Sequence, residues 1–224
     1  MANARGIGGR ARFRCALVGV PLLAFATATA FATAASAQAP ADGAQKVVTE
    51  ALAEVIAILN DGSSSEATRR DRIADIAFAH FDFPVMSKLV IALPWKKFTP
   101  VERTEFIAEF KTHLARSYGR RLARYEGTQV SVFGEKAEQR GDVTVLSKVV
   151  GGQFDGATMD YRMRATDGKW LVIDVIIEGV SLVANFRSQF KPILAQGGAP
   201  ELLGRLKDKN DELHEEIESE EGAH

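Results

Sequence analysis

The sequence has few of the residues that metal sites, disulfides and reactive thiols require. Its 224 residues include one cysteine, Cys15, and four histidines. No two of the histidines (His80, His113, His214 and His224) have the spacing of a ligand pair on one predicted element. A disulfide framework is excluded, because one thiol cannot form one within the chain. We therefore predict a protein with no metal site and no cofactor.

Strongly apolar stretches are also scarce, and the longest apolar run stands at the N-terminus. Four arginines precede a run from Cys15 to about Ala35, which is rich in Ala and Thr and ends in Ala35-Ser36-Ala37. Basic residues, an apolar run and a small-residue cleavage motif are typical of a secretory signal peptide. We predict a signal peptide over residues 1–37, cleaved near Ala37, and a soluble mature chain without a thiol.

Charge is modest and is concentrated at the C-terminal end. The formal net charge is −1, while residues 207–224 contain eight acidic side chains and two lysines. Such a run is typical of a solvated helix or a frayed terminus. We predict one domain over residues 38–206 and an acidic C-terminal tail over residues 207–224. The body has no lysine and arginine clusters with interleaved aromatics, which argues against nucleic-acid binding.

Helical patterns fill the first half of the predicted domain. Val48, Leu52 and Leu59 recur at helical spacing, and further helices are predicted after Ser65 and around Pro84. A capping box at residues 99–102 then starts a long amphipathic helix with apolar residues about one turn apart. This helix is predicted to end near Gly127.

The period changes to two after residue 127, which predicts strands. Valines alternate with polar residues around residues 130–132 and 143–149, as do Met159, Tyr161 and Met163, while residues 170–177 are almost wholly apolar. Glycine-containing turn signals separate these runs, and helical spacing returns after Gly179. We predict an α+β fold with a curved antiparallel four-stranded meander sheet covered by helices.

Candidate catalytic groups gather near the end of the last predicted strand. Ser181 follows Gly179 at a strand-to-helix junction, but Val183 stands where a nucleophile elbow needs its second glycine. We interpret Ser181 as a helix N-cap. Asp174 interrupts an apolar strand, which indicates a hydrogen-bonded structural carboxylate and leaves open an acid with a raised pKa.

An ordered series of short motifs carries a resemblance to a known family. The series consists of Phe81-Asp82-Phe83, Met86-Ser87, Trp95, Thr99-Pro100, residues 106–110, residues 118–125, Asp160-Tyr161-Arg162, Gly168-Lys169-Trp170, Asp174, residues 178–182 and Arg187-Ser188-Gln189-Phe190. Together these motifs resemble the MlaC family of periplasmic phospholipid-binding carriers, also called toluene-tolerance proteins, which has a hopanoid-associated branch. The sequence departs from the family pattern at residues 91–95, where relatives more often have Leu-Gly-x-x-Trp, and in its acidic tail.

The resemblance implies a fold like nuclear transport factor, with helices and a curved sheet that enclose an apolar cavity for lipid tails. It implies a soluble periplasmic carrier of phospholipid or a related lipid, with no catalytic group, that contributes to outer-membrane lipid asymmetry. The implied partners are an inner-membrane lipid transporter complex and an outer-membrane lipoprotein complex.

The apolar pattern supplies candidates for the lipid-binding wall. The sequence has many apolar side chains on the long helix, on the short segment before it and on the strands. Without the resemblance, these side chains fit a solid core better than a cavity. We predict that nine of them contact lipid: Met86, Leu89, Phe106, Phe110, Tyr118, Val145, Val149, Tyr161 and Met163.

Two other classes of function stay open at this level. One is a small-molecule isomerase or hydrolase that uses a buried Asp174 with a nearby tyrosine. The other is a periplasmic chaperone or adaptor, which would bind protein in an open apolar groove.

Overall fold

A computed structural model describes residues 43–123 and 129–221, and it has the predicted α+β architecture. The elements are α1 (Ala44–Leu59), α2 (Glu66–His80), α3 (Phe83–Ile91), α4 (Pro100–Ala123), β1 (Gln129–Ala137), β2 (Val143–Val150), β3 (Met159–Thr166), β4 (Lys169–Ile177), β5 (Val180–Ser181) and α5 (Leu182–Glu221). Within these ranges, none of the helices is long and apolar enough to cross a membrane.

The helix starts that the sequence indicated are confirmed by their hydrogen bonds. The Ser65 hydroxyl accepts a bond of 3.1 Å from the backbone N–H of Thr68 at the start of α2. At the start of α4, the Thr99 N–H donates to the Glu102 carboxylate at 2.7 Å, and the Glu102 N–H donates to the Thr99 hydroxyl at 3.2 Å. Each cap satisfies N–H groups that have no partner within the helix. The predicted end of the long helix near Gly127 lies outside the described residues.

The sheet confirms the antiparallel meander but has one strand more than predicted. Its order is β1-β2-β3-β4-β5, and β5 pairs with the end of β4. The prediction of four strands was wrong because Glu178 and Gly179 both take positive φ values, 50° and 75°, and turn the chain straight back. Two consecutive residues at positive φ make a tight hairpin turn, and glutamate is an unusual residue for the first of them.

The helix α5 continues far beyond the segment that its apolar spacing indicated. It bends at Gly198, where φ is 66° and ψ is −151°, and then continues to Glu221. The boundary predicted after Leu206 therefore falls within this helix. Asn210, Leu213 and Ile217 are buried at helical spacing, and the acidic side chains occupy the exposed positions between them.

Polar contacts attach the C-terminal part of α5 to α4. The Asn210 side chain donates to the Glu109 carbonyl at 3.0 Å and lies 3.1 Å from Nδ1 of His113. Arg116 donates to the Asn210 carbonyl at 2.5 Å. Burial lowers the pKa of His113 from its ordinary value of 6.5, so the ring is neutral at neutral pH. The acidic tail is therefore a packed helix in which one face is covered by α4.

The helices share an apolar core that we call the helical cluster. Its fully or nearly fully buried members are Phe83, Met86, Val90, Ile91, Phe98, Phe106, Phe110, Leu114, Val183, Phe186, Phe190, Ala199, Leu202, Leu203 and Leu206. They come from α3, α4, α5 and the turn before α4. This cluster holds the long helices together.

The turn after α3 contains a residue in an unfavourable backbone conformation. Ala92 has φ 59° and ψ −129°, a region that glycine enters readily and that costs other residues about 1–3 kcal/mol. We expect Ala92→Gly to raise the free energy of unfolding by about 1 kcal/mol, measured by urea denaturation. The matched control is Ala108→Gly at an exposed position within α4, which should lower it by about 1 kcal/mol. Equal destabilisation by both changes would contradict the prediction.

Candidate functional site

The sheet and α1 enclose a second apolar core, which we call the sheet cluster. Its buried members are Ala44, Val48, Val145, Tyr161, Met163, Trp170, Val172 and Val175. Val145 pairs with Tyr161, and Tyr161 with Val175, so these side chains lie on one face of the sheet. Ala44 and Val48 belong to α1 and cover this face.

The nine predicted lipid-contacting residues are divided between the two clusters. Met86, Phe106 and Phe110 belong to the helical cluster, with Leu89 and Tyr118 packed at its margin. Val145, Tyr161 and Met163 belong to the sheet cluster, and Val149, 7% exposed, alternates with Val145 along β2. Phe81 and Leu182 pack against both clusters. The structure therefore does not bring the nine residues together, and their role in lipid contact stays a prediction.

The helical cluster is filled by its own aromatic rings. The ring centroids of Phe106 and Phe110 are 5.6 Å apart, those of Phe110 and Phe186 are 5.2 Å apart, and those of Phe106 and Phe190 are 6.0 Å apart. Stacked and edge-to-face rings at these separations are in direct contact. The aromatic rings of α4 and α5 therefore pack directly against one another in this cluster.

Half-buried apolar side chains lie at the margin of the sheet cluster, as they do at the margin of the helical cluster. Seven half-buried apolar side chains pack against the sheet cluster: Val47, Leu52, Phe81, Val132, Val143, Met159 and Leu182. Within the described residues, α1 is the helix that packs over β1 and β2. An apolar face with a partly exposed margin can accept an elongated apolar ligand if α1 shifts. This face is the candidate site.

Two polar groups lie within the sheet cluster. The Tyr161 hydroxyl donates to the Met159 sulfur at 3.0 Å, and burial raises the pKa of Tyr161 well above its ordinary value, so the phenol keeps its proton. The indole N–H of Trp170 is buried and has no acceptor among the described residues. A thioether is a weak acceptor, so both groups can donate to an ester or hydroxyl oxygen of a bound molecule.

The opposite face of the sheet carries the charged side chains of β3. Arg164 donates two bonds of 2.7 Å to Asp142, and this hydrogen bonding raises the pKa of the Arg164 guanidinium. Arg162 lies on the same face, with its nitrogen 3.9 Å from Asp174. The face opposite α1 therefore has charged side chains of β3 beside the half-buried Leu146 and Leu171, whereas the face towards α1 is apolar. An apolar ligand would therefore bind on the side that α1 covers.

The candidate catalytic residues are hydrogen-bonded parts of the junction between β5 and α5. The buried Asp174 carboxylate accepts bonds from the Ser181 hydroxyl at 2.5 Å and from the Val183 N–H at 3.0 Å. The Ser181 hydroxyl accepts a bond of 3.0 Å from the Ala184 N–H, which confirms Ser181 as the N-cap of α5. These bonds hold the end of the sheet against the last helix, which is a structural task.

A groove lined by side chains with polar ends lies at the N-terminal turns of α1. It has a volume of about 520 Å³ and is lined by Gly43, Gln45, Lys46, Thr49, Glu50 and Glu135. The same turns of α1 carry Ala44 and Val48, which face the sheet cluster. The groove thus places polar side chains at the edge of the apolar face.

Several members of the sheet cluster were missed in the selection of lipid-contacting residues. Val143 could have been found because it alternates with Val145 on β2, and Val48 because it lies on the apolar stripe of α1. Trp170, Val172 and Val175 lie in a strand that is apolar at nearly every position. Their faces could not be assigned from alternation.

A sequence model of the MlaC protein family matches residues 49–208. The chain belongs to the MlaC family. The matched range runs from the second turn of α1 into the second half of α5, so it includes the whole sheet and most of both clusters. This assignment confirms the family indicated by the ordered motifs, and the MlaC match ends before Asn210.

Two known proteins show what this MlaC-family chain is similar to. Toluene tolerance protein ttg2D of Pseudomonas putida is 28% identical over 164 residues, which are 73% of this chain and 76% of that protein. A phospholipid-binding protein from Ralstonia solanacearum, whose structure was solved in complex with a phospholipid, matches with a TM-score of 0.70 and 23% identity. The match covers 77% of this chain and 99% of that one. This structural similarity confirms the predicted α+β fold.

Proposed function

We propose that this protein is a periplasmic lipid carrier that holds the acyl chains of a phospholipid between α1 and the apolar face of the sheet. The observation that carries this proposal is the sheet cluster, an apolar face that α1 covers over β1 and β2 and that has half-buried apolar side chains at its margin. The groove at the start of α1, which contains Lys46 with Glu50 3.8 Å away, is the proposed place of the headgroup. Tyr161 and Trp170 are suited to donate to ester oxygens.

The energetics of lipid transfer favour such a face. Each methylene exposed to water costs about 0.8 kcal/mol, so two acyl chains with roughly thirty methylenes would cost more than about 20 kcal/mol unshielded. An apolar protein face replaces the bilayer during transit and needs no catalytic group. The hydrogen bonding of Asp174 and Ser181 at the junction with α5 is consistent with a protein that is not an enzyme.

The proposed route is a shuttle between an outer-membrane lipoprotein complex and an inner-membrane lipid transporter complex. Membership of the MlaC family supports this route, and so does the predicted signal peptide over residues 1–37. The cargo is a phospholipid in this proposal, and a hopanoid is the related lipid that the same face could hold.

Lipid extraction and native mass spectrometry of the purified protein test the proposal. We expect the protein to carry bound lipid from the producing cell, and to take up phospholipid from vesicles after delipidation. A protein that is repeatedly free of lipid and takes none from vesicles would overturn the proposal. Capture of unfolded polypeptide by such a lipid-free protein would instead support a chaperone.

A pair of tryptophan substitutions on β2 tests the location of the lipid. Val143 and Leu146 are both half-buried, but they point to opposite faces of the sheet, and Val143 packs against the sheet cluster. A tryptophan at position 143 would displace about three methylenes of lipid, so Val143→Trp should weaken lipid binding by more than about tenfold. Leu146→Trp should leave it unchanged. Equal lipid content in both variants, at equal stability towards urea, would contradict this location.

A further inference from the structure

The turn after α3 and the first turn of α4 carry the two most exposed large apolar side chains of the described residues. Leu93 is 80% exposed and Val101 is 74% exposed. Lys96 and Lys97 lie between them in the sequence and are also exposed. Apolar side chains of this exposure beside lysines are typical of proteins that contact a membrane surface.

Buried neighbours hold this turn in one conformation. The Trp95 ring stacks on Phe98 with centroids 5.5 Å apart and meets Phe106 edge-on at 6.2 Å. Arg103 donates to the Trp95 carbonyl at 3.1 Å. The unfavourable backbone of Ala92 immediately precedes Leu93 and sets the direction of the chain there. A preorganised turn binds a surface with little loss of conformational entropy.

The charge around the turn is positive. No aspartate or glutamate occurs from residue 83 to residue 101, a stretch that contains Lys88, Lys96 and Lys97. All three lysines are exposed, and no carboxylate of the described residues forms an ion pair with them. The exposed Arg187 donates to the Leu89 carbonyl at 3.0 Å and adds a fourth cation at the end of α3.

The nearest carboxylate in the sequence is already engaged. Glu102 accepts bonds from the N–H and the hydroxyl of Thr99 at 2.7 and 2.9 Å, and it is directed at the N-terminus of α4. A carboxylate at a helix N-terminus interacts with the positive end of the helix dipole. The exposed lysines are therefore the charges that an approaching surface would meet.

We propose that residues 92–101, together with Lys88, form a docking surface for an anionic phospholipid bilayer. Leu93 and Val101 enter the interfacial region of the bilayer, and the lysines contact lipid phosphates. The inference goes beyond the proposed function, because a carrier that exchanges lipid only with protein complexes needs no bilayer contact of its own. An anionic bilayer fits both features of the surface, its charge and its exposed apolar side chains.

Vesicle flotation of the purified protein tests this proposal. We expect the protein to float with phosphatidylcholine vesicles that contain phosphatidylglycerol, to float less with pure phosphatidylcholine, and to be released as salt rises. Each lysine near an anionic surface contributes about fivefold in binding, so Lys96→Glu with Lys97→Glu should reduce binding by more than about tenfold. Leu93→Ser with Val101→Ser should also reduce it strongly.

The control is Phe133→Ser, which removes a 57% exposed apolar side chain close to Glu135 on β1 and should leave flotation unchanged. Wild-type protein that stays unbound at low salt would overturn the proposal, and a protein partner would then be the occupant of this surface. Equal flotation of all variants would also overturn it. The lipid extracted from each variant is measured in parallel. A variant that floats normally but has lost its bound lipid would count against the proposed function and not against the docking surface.

Discussion

Replacing Phe110 by alanine should lower the free energy of unfolding by about 4 kcal/mol, because the ring is fully buried and contacts three other phenylalanines. The loss combines the transfer free energy of the ring with the cost of the cavity that remains between α4 and α5. Urea denaturation with linear extrapolation measures it. Because the proposed lipid site is the sheet cluster, the variant should still bind lipid below its unfolding transition.

The control for Phe110→Ala is Val101→Ala on the same helix, which removes an exposed side chain and should change stability by less than about 0.5 kcal/mol. A Phe110→Ala protein that keeps its stability but loses its lipid would contradict this account. That result would place the ligand among the helices, where the sequence pattern had put Phe106 and Phe110.

Replacing Asp174 by alanine should lower the free energy of unfolding by about 3 kcal/mol, since hydrogen bonds to a charged group contribute about 1.5–3 kcal/mol each. The Val183 N–H would lose its acceptor, and Ser181 would lose the partner of its hydroxyl. Arg162, 3.9 Å from the carboxylate, would lose the nearest opposite charge. Urea denaturation measures the loss.

The companion variant Asp174→Asn separates a carrier from an enzyme. It keeps the shape of the side chain and an acceptor for Val183, so it should cost less stability than alanine and leave bound lipid unchanged. An isomerase or hydrolase that used Asp174 as an acid or base would keep its fold and lose turnover in this variant. Discovery of such a turnover in the wild-type protein, abolished by asparagine, would refute the structural role.

Much of the fold could be predicted because its signals are local. The capping box at residues 99–102 and the N-cap at Ser65 depend on side chains within three residues of each other. The order of the strands followed from alternation and from glycine-containing turns. The fifth strand was missed because its turn begins with Glu178, which seldom takes a positive φ.

The candidate site could be predicted only in part, because burial patterns do not show what covers a face. Phe106 and Val145 are both wholly buried, yet one packs among aromatic rings of α4 and α5 and the other faces α1. Periodicity assigns each side chain to the inner face of its own element. It does not show whether the opposing side chains fill the space.

The sequence by itself determined the family, the α+β class, the helix caps and the apolar face of each element with a clear period, since these depend on neighbours along the chain. The tertiary structure decided how the buried side chains divide between the helical cluster and the sheet cluster. It also decided that Asn210 fixes the acidic end of α5 to α4, and that Ala92 directs Leu93 outwards. These outcomes depend on contacts between residues far apart in the sequence, and periodicity carries no information about such contacts.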